Sequence, residues 1–270
     1  MLTRRSVFRR ILAHPEAREL LMNSLAVGEA DSALDLDRVA EHIPDAVLSR
    51  RVYRHYAEEN RHARLFRKRL EGLGYSVHRL PPELDYERAA QRFGMGTPKA
   101  RLDDPTPFST DDLVLFFSGS KAGEERACAE MEGLIAGLGE ADPETVSLLR
   151  AIHADEIRHV SYATAELQRL AAEGRREDVL RTLRSARRAE ARAHRQVSRA
   201  FMGRLFRLLG APGWLRLFGG LAIDAGFAWR WLFPGGLDAP LVENPMPVPG
   251  DDIEGAALGS PTTSATMEGA

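Results

Sequence analysis

Apolar residues recur at helical spacing through most of this chain, and the strict alternation typical of strands is scarce. Ala, Leu, Arg and Glu, which are strong helix formers, dominate the same segments. We therefore predict an all-α fold. The pattern predicts a first helical segment from residue 4 that Pro15 breaks or restarts, followed by longer helices over about 16–42, 46–72, 110–138, 143–172 and 175–209.

Residues 75–111 interrupt this pattern with five prolines and two glycines, and they leave room for one short helix over 83–92. The segment joins the second long helix to the third. A short turn separates the two long helices before this segment, and another separates the two after it. Each pair is therefore expected to form a hairpin. Two helical hairpins joined by a long crossover are one of the arrangements of a four-helix bundle.

The two hairpins share a repeated pentapeptide, "EENRH" at 58–62 and "DEIRH" at 155–159. Glu and His lie three positions apart in each, so they occupy one helix face. That face is otherwise apolar, with Val52 and Phe66 around the first pair and Leu149 and Ala163 around the second. A buried carboxylate is costly unless it is compensated, which indicates a bound cation.

Two more carboxylates lie in apolar stripes one hairpin length earlier. Glu29 precedes Glu59 by 30 residues, and Glu124 precedes Glu156 by 32. The face of Glu124 continues with Met and Leu residues, whereas that of Glu125 continues with Ala and Glu. We therefore expect Glu124 to face the core and keep Glu125 as the alternative.

These residues resemble the ferritin-like di-iron carboxylate superfamily. It includes rubrerythrins, bacterial monooxygenase hydroxylases, the small subunit of ribonucleotide reductase, aldehyde-deformylating oxygenase and a tRNA hydroxylase. The resemblance covers residues 15–172 and implies a ferritin-like four-helix bundle with two iron ions, with manganese or a mixed iron–manganese pair as the alternative. The implied ligands are Glu29, Glu59, His62, Glu124, Glu156 and His159. Glu59 and Glu156 are the expected bridging carboxylates.

The same resemblance implies a second set of contacts around the ligands. Glu58 and Asp155 are expected to accept hydrogen bonds from the ligand histidines across the helix pairs, and Arg61 and Arg158 to neutralise these acids. A plain surface ion-pair set is the alternative for all four.

Two histidines and two tyrosines lie one turn from the expected ligands. Some N-oxygenating members of the superfamily have an additional His ligand, which His55 or His153 would supply, and a buried histidine without metal contact is the alternative. Tyr56 and Tyr162 are candidates for hydrogen-bond donors or a redox tyrosine, with simple packing as the alternative.

The resemblance implies reaction with dioxygen or peroxide. The first hypothesis is an oxidase or oxygenase, of the hydroxylase type, that acts on an organic substrate with an external electron donor. A single cysteine, Cys128, excludes the Cys pattern of a full-length rubrerythrin. The alternatives are a ferroxidase, iron or manganese storage, peroxide scavenging, or a non-catalytic metal-stabilised bundle that docks on a membrane or RNA.

Residues 1–172 thus form the predicted bundle, 173–236 additional helices packed on it or on a partner, and 237–270 a disordered tail. The helix over 175–209 is strongly basic, which indicates either a solvated face or contact with anionic lipid or RNA. The apolar segment 210–234 contains Arg216, Asp224 and Arg230, which disfavours a transmembrane span. A further bundle helix or a homodimer contact is expected there, with an interfacial membrane anchor as the alternative.

An N-terminal "TRRSVF" is similar to a twin-arginine export signal, but the residues after it are too charged for an apolar signal region. We therefore expect a cytoplasmic protein, with peripheral membrane association as a variant of that location.

Overall fold

The computed structural model describes the backbone of residues 4–232 and the side chains of residues 6–228. Within that range the regular structure is entirely helical, which confirms the predicted class. The α-helices are α1 (Arg4–Ala13), α2 (Pro15–His42), α3 (Ala46–Gly72), α4 (Tyr86–Arg92), α5 (Lys99–Leu102), α6 (Thr110–Leu138), α7 (Pro143–Leu170), α8 (Arg176–Leu208) and α9 (Gly213–Leu232). The predicted tail at 237–270 lies outside the described residues.

Local signals account for where the long helices begin. Asp45 caps α3 by accepting a hydrogen bond from the Leu48 N–H at 2.7 Å. Ser109 and Asp112 form a reciprocal capping box at the start of α6. Pro143 occupies the first turn of α7, where its missing N–H costs nothing. The short helix α5 was not predicted from the pattern.

The long helices pack as two antiparallel pairs, α2 with α3 and α6 with α7, and α3 lies against α7 between the pairs. The 75–109 connection crosses from one pair to the other and passes very close to α6. A side chain at Gly119 would come within 3.0 Å of the Gly96 backbone, so this crossing favours glycine at position 119. Gly96 itself has a φ of +79°, a conformation that favours glycine.

The core divides into two apolar layers along the helix pairs. On α3, Val52 belongs to one layer and Phe66 to the other, and on α7 Leu167 and Leu149 divide in the same way. Between these layers lie buried polar residues of both helices, namely His55, Glu59 and His62 of α3 and Asp155, Glu156 and His159 of α7. The fold therefore holds a polar centre within an apolar bundle.

Helices α8 and α9 extend the bundle. α8 packs on α6 and α4 with its alanines inward, and the buried Arg187 pairs with Glu125 of α6. Most other α8 arginines face solvent. α9 packs on α8 rather than standing alone, and none of the described helices is long and apolar enough to cross a membrane.

Candidate metal centre

Six side chains from four helices meet between the two helix pairs. They are Glu29 on α2, Glu59 and His62 on α3, Glu124 on α6, and Glu156 and His159 on α7. The four on α3 and α7 are at most 2% exposed. The side chains of Glu29 and Glu124 are each 12% exposed. Four carboxylates packed together in this way require compensating positive charge.

The first of two ligand groups, which we call group one, consists of Glu29, Glu59, His62 and Glu156. Its candidate ligand atoms all lie within 4.8 Å of one another. His62 Nδ1 is 3.5 Å from Glu29 Oε2, 3.8 Å from Glu59 Oε1 and 3.3 Å from Glu156 Oε1. One imidazole nitrogen therefore faces three carboxylates.

The second group, group two, consists of His55, Glu59, Glu124 and His159, with the same mutual limit of 4.8 Å. His55 Nε2 is 3.3 Å from Glu59 Oε1 and 3.2 Å from Glu124 Oε1. His159 Nδ1 is 3.2 Å from Glu59 Oε1 and 3.3 Å from Glu156 Oε2. Glu59 belongs to both groups, and Glu156 of group one also touches His159, so these two acids link the groups.

Three polar atoms of the cluster are buried without any hydrogen-bond partner: His55 Nε2, Glu59 Oε1 and His62 Nδ1. Buried polar atoms are nearly always satisfied, and leaving one unpaired costs about 1–3 kcal/mol. All three are atoms to which a metal ion at this site would bind. The residues therefore fit a pair of metal ions, and imidazole with carboxylate is a donor set that suits iron or manganese.

The electrostatics of the cluster point in the same direction. Burial and the charge of Glu59 raise the pKa of Glu29 well above its usual value. Burial and the charge of Glu156 raise the pKa of Glu124 to about 7. Burial opposes the charged form of His62, but the nearby carboxylates of Glu156 and Glu29 raise its pKa to about 10. The site attracts positive charge, which protons or metal ions can supply.

The outer nitrogen of each predicted ligand histidine is held by an acid from the opposite helix pair. His62 Nε2 donates to Asp155 Oδ2 at 2.9 Å, and His159 Nε2 donates to Glu58 Oε2 at 2.7 Å. With the outer nitrogen held in this way, Nδ1 of each ring is directed at the cluster and is the nitrogen that would bind a metal ion in place of a proton. The leading acids of the two pentapeptides thus lie where the resemblance implied.

Arginines of the same pentapeptides neutralise these acids. Arg61 binds Asp155, and Arg158 binds both Asp155 and Glu58. Burial opposes ionisation of Glu58, but the hydrogen bond from His159, reinforced by Arg158, lowers its pKa to about 2. Both acids therefore remain charged at neutral pH and orient the rings.

His55 is placed in the cluster rather than in an apolar core. Its Nδ1 is 2.7 Å from the hydroxyl of Tyr162, a buried residue on α7, and its Nε2 points at group two. The ring lies against that of His159, with centroids 3.7 Å apart. His55 is thus a seventh candidate ligand, and Tyr162 orients it.

The structure corrects three other expectations. His153 does not approach the cluster, because its position on α7 turns the ring toward α6, where Nε2 lies 3.6 Å from Glu132. The Tyr56 hydroxyl accepts a hydrogen bond from Asn60 instead. Glu125 faces α8 and α6, where Arg187 and Lys121 bind it, so it is not an alternative to Glu124.

A cavity of about 970 Å³ opens onto both groups. Glu29, Glu59, Glu124 and Glu156 form part of its wall. α2 and α6 supply most of the remaining lining, and α1, α8 and the 75–109 connection supply the rest. Many of these side chains are apolar, among them Leu21, Leu25, Met131, Leu134, Phe201 and Met202. The volume is at the upper end of the range of small-molecule sites.

Comparisons of the chain with models of protein families, with curated protein sequences and with solved structures found no significant match. The residues and the geometry described above are therefore what supports a function for this protein.

Proposed function

We propose that this chain is a non-haem di-iron protein of the ferritin-like kind that activates dioxygen and oxidises an organic substrate. The arrangement of donors supports the ferritin-like assignment. α2 and α6 each supply one glutamate, and α3 and α7 each supply a Glu-x-x-His pair, which is the ligand pattern of that kind of bundle.

The cavity at the ligand groups is the observation that supports an oxidase or oxygenase over iron storage. A bundle that only handles iron needs the ligands but no space beside them for an organic molecule. Here the space is large, mainly lined by apolar residues, and continuous with four of the carboxylates. A substrate in it would lie next to the metals and away from bulk water.

The chain's own residues have distinct tasks in this proposal. Two iron ions bound by the ligand groups would supply the redox chemistry, which is the reduction of dioxygen. Glu59 belongs to both ligand groups and would contribute to holding both ions. Asp155 and Glu58 hold the proton on the outer nitrogen of each ring, so that the inner nitrogen stays a donor. Leu25 and its apolar neighbours position the substrate and exclude water.

An external electron donor completes the reaction, since the sequence contains no flavin or iron–sulfur motif. Reduction of dioxygen to water takes four electrons, and a substrate supplies two of them on hydroxylation or desaturation. The donor supplies the other two. Ferroxidase activity uses iron itself as the electron source, and for this reason the two functions are separable by experiment.

A bulky residue in the cavity tests the proposal. Leu25→Trp fills space one turn from Glu29, whereas Leu34→Trp adds the same side chain to an exposed position of the same helix. Purified protein is loaded with iron(II) without oxygen, given a chemical reductant and oxygen, and incubated with a panel of small aliphatic and aromatic compounds. Mass spectrometry detects the gain of one oxygen or the loss of two hydrogens.

We expect Leu25→Trp to keep its iron and lose product formation by about tenfold or more, because added bulk excludes the substrate. Leu34→Trp should behave as the parent protein. Rapid iron oxidation without any product, and unaffected by Leu25→Trp, would instead establish iron handling as the function.

A further inference from the structure

The outward face of α9 carries a continuous apolar stripe. Trp214, Leu217, Phe218 and Leu221 are 62, 63, 60 and 52% exposed, and their spacing places them on one side of the helix. The ring of Trp214 lies against that of Phe218, with centroids 6.4 Å apart. Single exposed apolar residues are ordinary, whereas a stripe of four large ones indicates a binding surface.

The opposite face of α9 is fixed to α8, so the stripe is not a core face that has failed to pack. A side chain at Gly219 would come within 2.4 Å of the Phe206 ring, which shows how closely the two helices approach. The Phe227 ring lies edge-on to His194 at 5.4 Å. Asp224 binds Arg195 and Arg199 of α8. These contacts set the direction in which the stripe faces.

The surroundings of the stripe are basic. Residues 191–232 contain seven arginines and one acid, Asp224. The carboxylate of Asp224 is already engaged by two arginines. Arg204 and Arg207 near the end of α8, and Arg216 at the start of α9, are exposed and make no salt bridge to any residue between 6 and 228. They leave net positive charge on the hairpin formed by α8 and α9, although helix periodicity places Arg216 on the side of α9 away from the stripe.

We propose that this face, the α9 surface, docks the protein on the surface of an anionic lipid bilayer. Trp214, Leu217, Phe218 and Leu221 enter the boundary between headgroups and acyl chains, and the net positive charge of the α8–α9 hairpin attracts the anionic headgroups. A helix that is apolar on one side, bears aromatic residues there and carries arginine on its polar side matches an interfacial helix. The helix lies on the membrane, in accord with the absence of a spanning helix among the described residues.

Charge favours an anionic bilayer over a second copy of the chain or RNA as the occupant of this face. A symmetric contact with a second copy would bring two strongly basic hairpins together, and the one acid that each contains between 191 and 232, Asp224, is already bound by arginines of α8. RNA would use the arginines and leave leucines at 217 and 221 exposed to water. Anionic lipid satisfies both the apolar stripe and the positive charge.

The placement of α8 adds a structural consequence. Val197, Phe201 and Met202 of this helix line the cavity, and α9 packs on the same helix at Arg199 and Phe206. A membrane bound to the α9 surface would be separated from the cavity by one pair of helices, α8 and α9.

Vesicle flotation of the full chain tests the proposal. The probes are vesicles of phosphatidylcholine alone and of phosphatidylcholine mixed with phosphatidylserine. The variants are the double change Leu217→Glu with Leu221→Glu, the triple change Arg204→Gln, Arg207→Gln and Arg216→Gln, and the control Leu34→Glu. Leu34 is 65% exposed on α2, so it matches the stripe leucines in type and exposure. Circular dichroism and sedimentation establish that each variant is folded and report its oligomeric state.

The parent chain and Leu34→Glu should bind the anionic vesicles, with binding that weakens as salt rises. The double leucine variant should lose affinity by at least about tenfold, because it removes the apolar burial of two leucines and places two carboxylates against anionic headgroups. The arginine variant should lose the preference for phosphatidylserine. Failure of the parent to float, or equal flotation of the double leucine variant, overturns the proposal. A dimer that the leucine changes dissociate, or salt-dependent RNA binding that the arginine changes abolish without vesicle binding, overturns it in favour of a second copy or RNA.

Discussion

The two helical hairpins carry nearly the same pentapeptide, and they differ in the residues on either side of it. Three positions before Glu58 stands His55, and three positions before Asp155 stands Ile152. Three positions after His62 stands Leu65, and three positions after His159 stands Tyr162. The α3 copy of the repeat is therefore accompanied by His55, and the α7 copy by Tyr162, the tyrosine that hydrogen-bonds to this histidine.

These two differences meet in space. The Tyr162 hydroxyl binds His55 at 2.7 Å and directs its other nitrogen at group two. Group one then has one imidazole and three carboxylates, and group two has two imidazoles and two carboxylates. The lesson is that a repeated motif here builds two chemically distinct positions, because single residues outside the repeat change the donor set.

The largest expected effect comes from removing what the two groups share. Glu59→Ala removes a donor from both, so we expect metal content to fall from about two ions per chain to nearly none. Elemental analysis after anaerobic loading with iron(II) measures it. Glu125→Ala is the control, since that acid binds Arg187 and Lys121 rather than the cluster. Loss of metal in the control, with metal retained by Glu59→Ala, would contradict the assignment.

The next largest effect should come from a substitution that makes the α3 copy of the repeat resemble the α7 copy. His55→Ile copies the residue at 152 and removes a donor from group two alone, so metal content should fall from about two ions to about one. Cobalt(II) absorption spectra of the loaded protein report the change in donor set. Tyr56→Phe serves as the control, because its hydroxyl accepts from Asn60 and not from the cluster. An unchanged spectrum in His55→Ile would show that this histidine is not a ligand.

The acids behind the ligand histidines allow a finer comparison. Asp155 is bound by Arg61 and Arg158, whereas Glu58 is bound by Arg158 only. Asp155→Asn and Glu58→Gln should each weaken one metal position by about 10–100-fold, the usual effect of losing such a partner. We expect Asp155→Asn to have the larger effect, because it removes a charged partner from two arginines, Arg61 and Arg158. Metal titrations of both variants measure this, and equal affinity to the parent in both would refute an orienting role.

Local sequence signals account for much of the predicted fold. Asp45 before α3, Pro143 in the first turn of α7 and Gly74 just after α3 mark helix ends through backbone chemistry that depends on nearby residues only. Apolar stripes with acids at their centre indicated Glu29 and Glu124 in the same way.

Features that depend on distant residues were not predictable from these signals. The orientation of His55 requires Tyr162 from another helix, and the exclusion of His153 depends on how far α7 is rotated about its axis. The cavity depends on how the two helix pairs are spaced, which involves α8 and the 75–109 connection. The pattern of apolar residues shows which face of a helix is buried, but it does not show which residues of other helices contact that face.

The smallest expected effect concerns Glu87 and Asp35. These two acids line the same cavity, and the pair contains no histidine. Burial and the charge of Asp35 raise the pKa of Glu87 to about 7, and Asp31 adds to the effect. The folded protein then holds a proton that the unfolded chain releases, so this pair lowers stability as pH rises from about 5 to about 8. Glu87→Gln removes that cost and should still accept the hydrogen bond from Gln91.

We expect Glu87→Gln to raise the melting temperature by roughly 2–4 °C near pH 8, with the gain disappearing near pH 5. Thermal unfolding of metal-loaded protein across this range measures it. Metal content should not change, because the pair lacks an imidazole and lies outside both ligand groups. A gain that is the same at both pH values would contradict the assigned pKa shift.

Crystals of the protein loaded with iron(II), measured at the iron absorption edge, test the central claim most directly. The anomalous map should contain two peaks. One should lie among Glu29, Glu59, His62 and Glu156, and the other among His55, Glu59, Glu124 and His159. Peaks at other residues, or an empty cluster in protein that has been fully loaded, would contradict the di-metal centre and the function proposed from it.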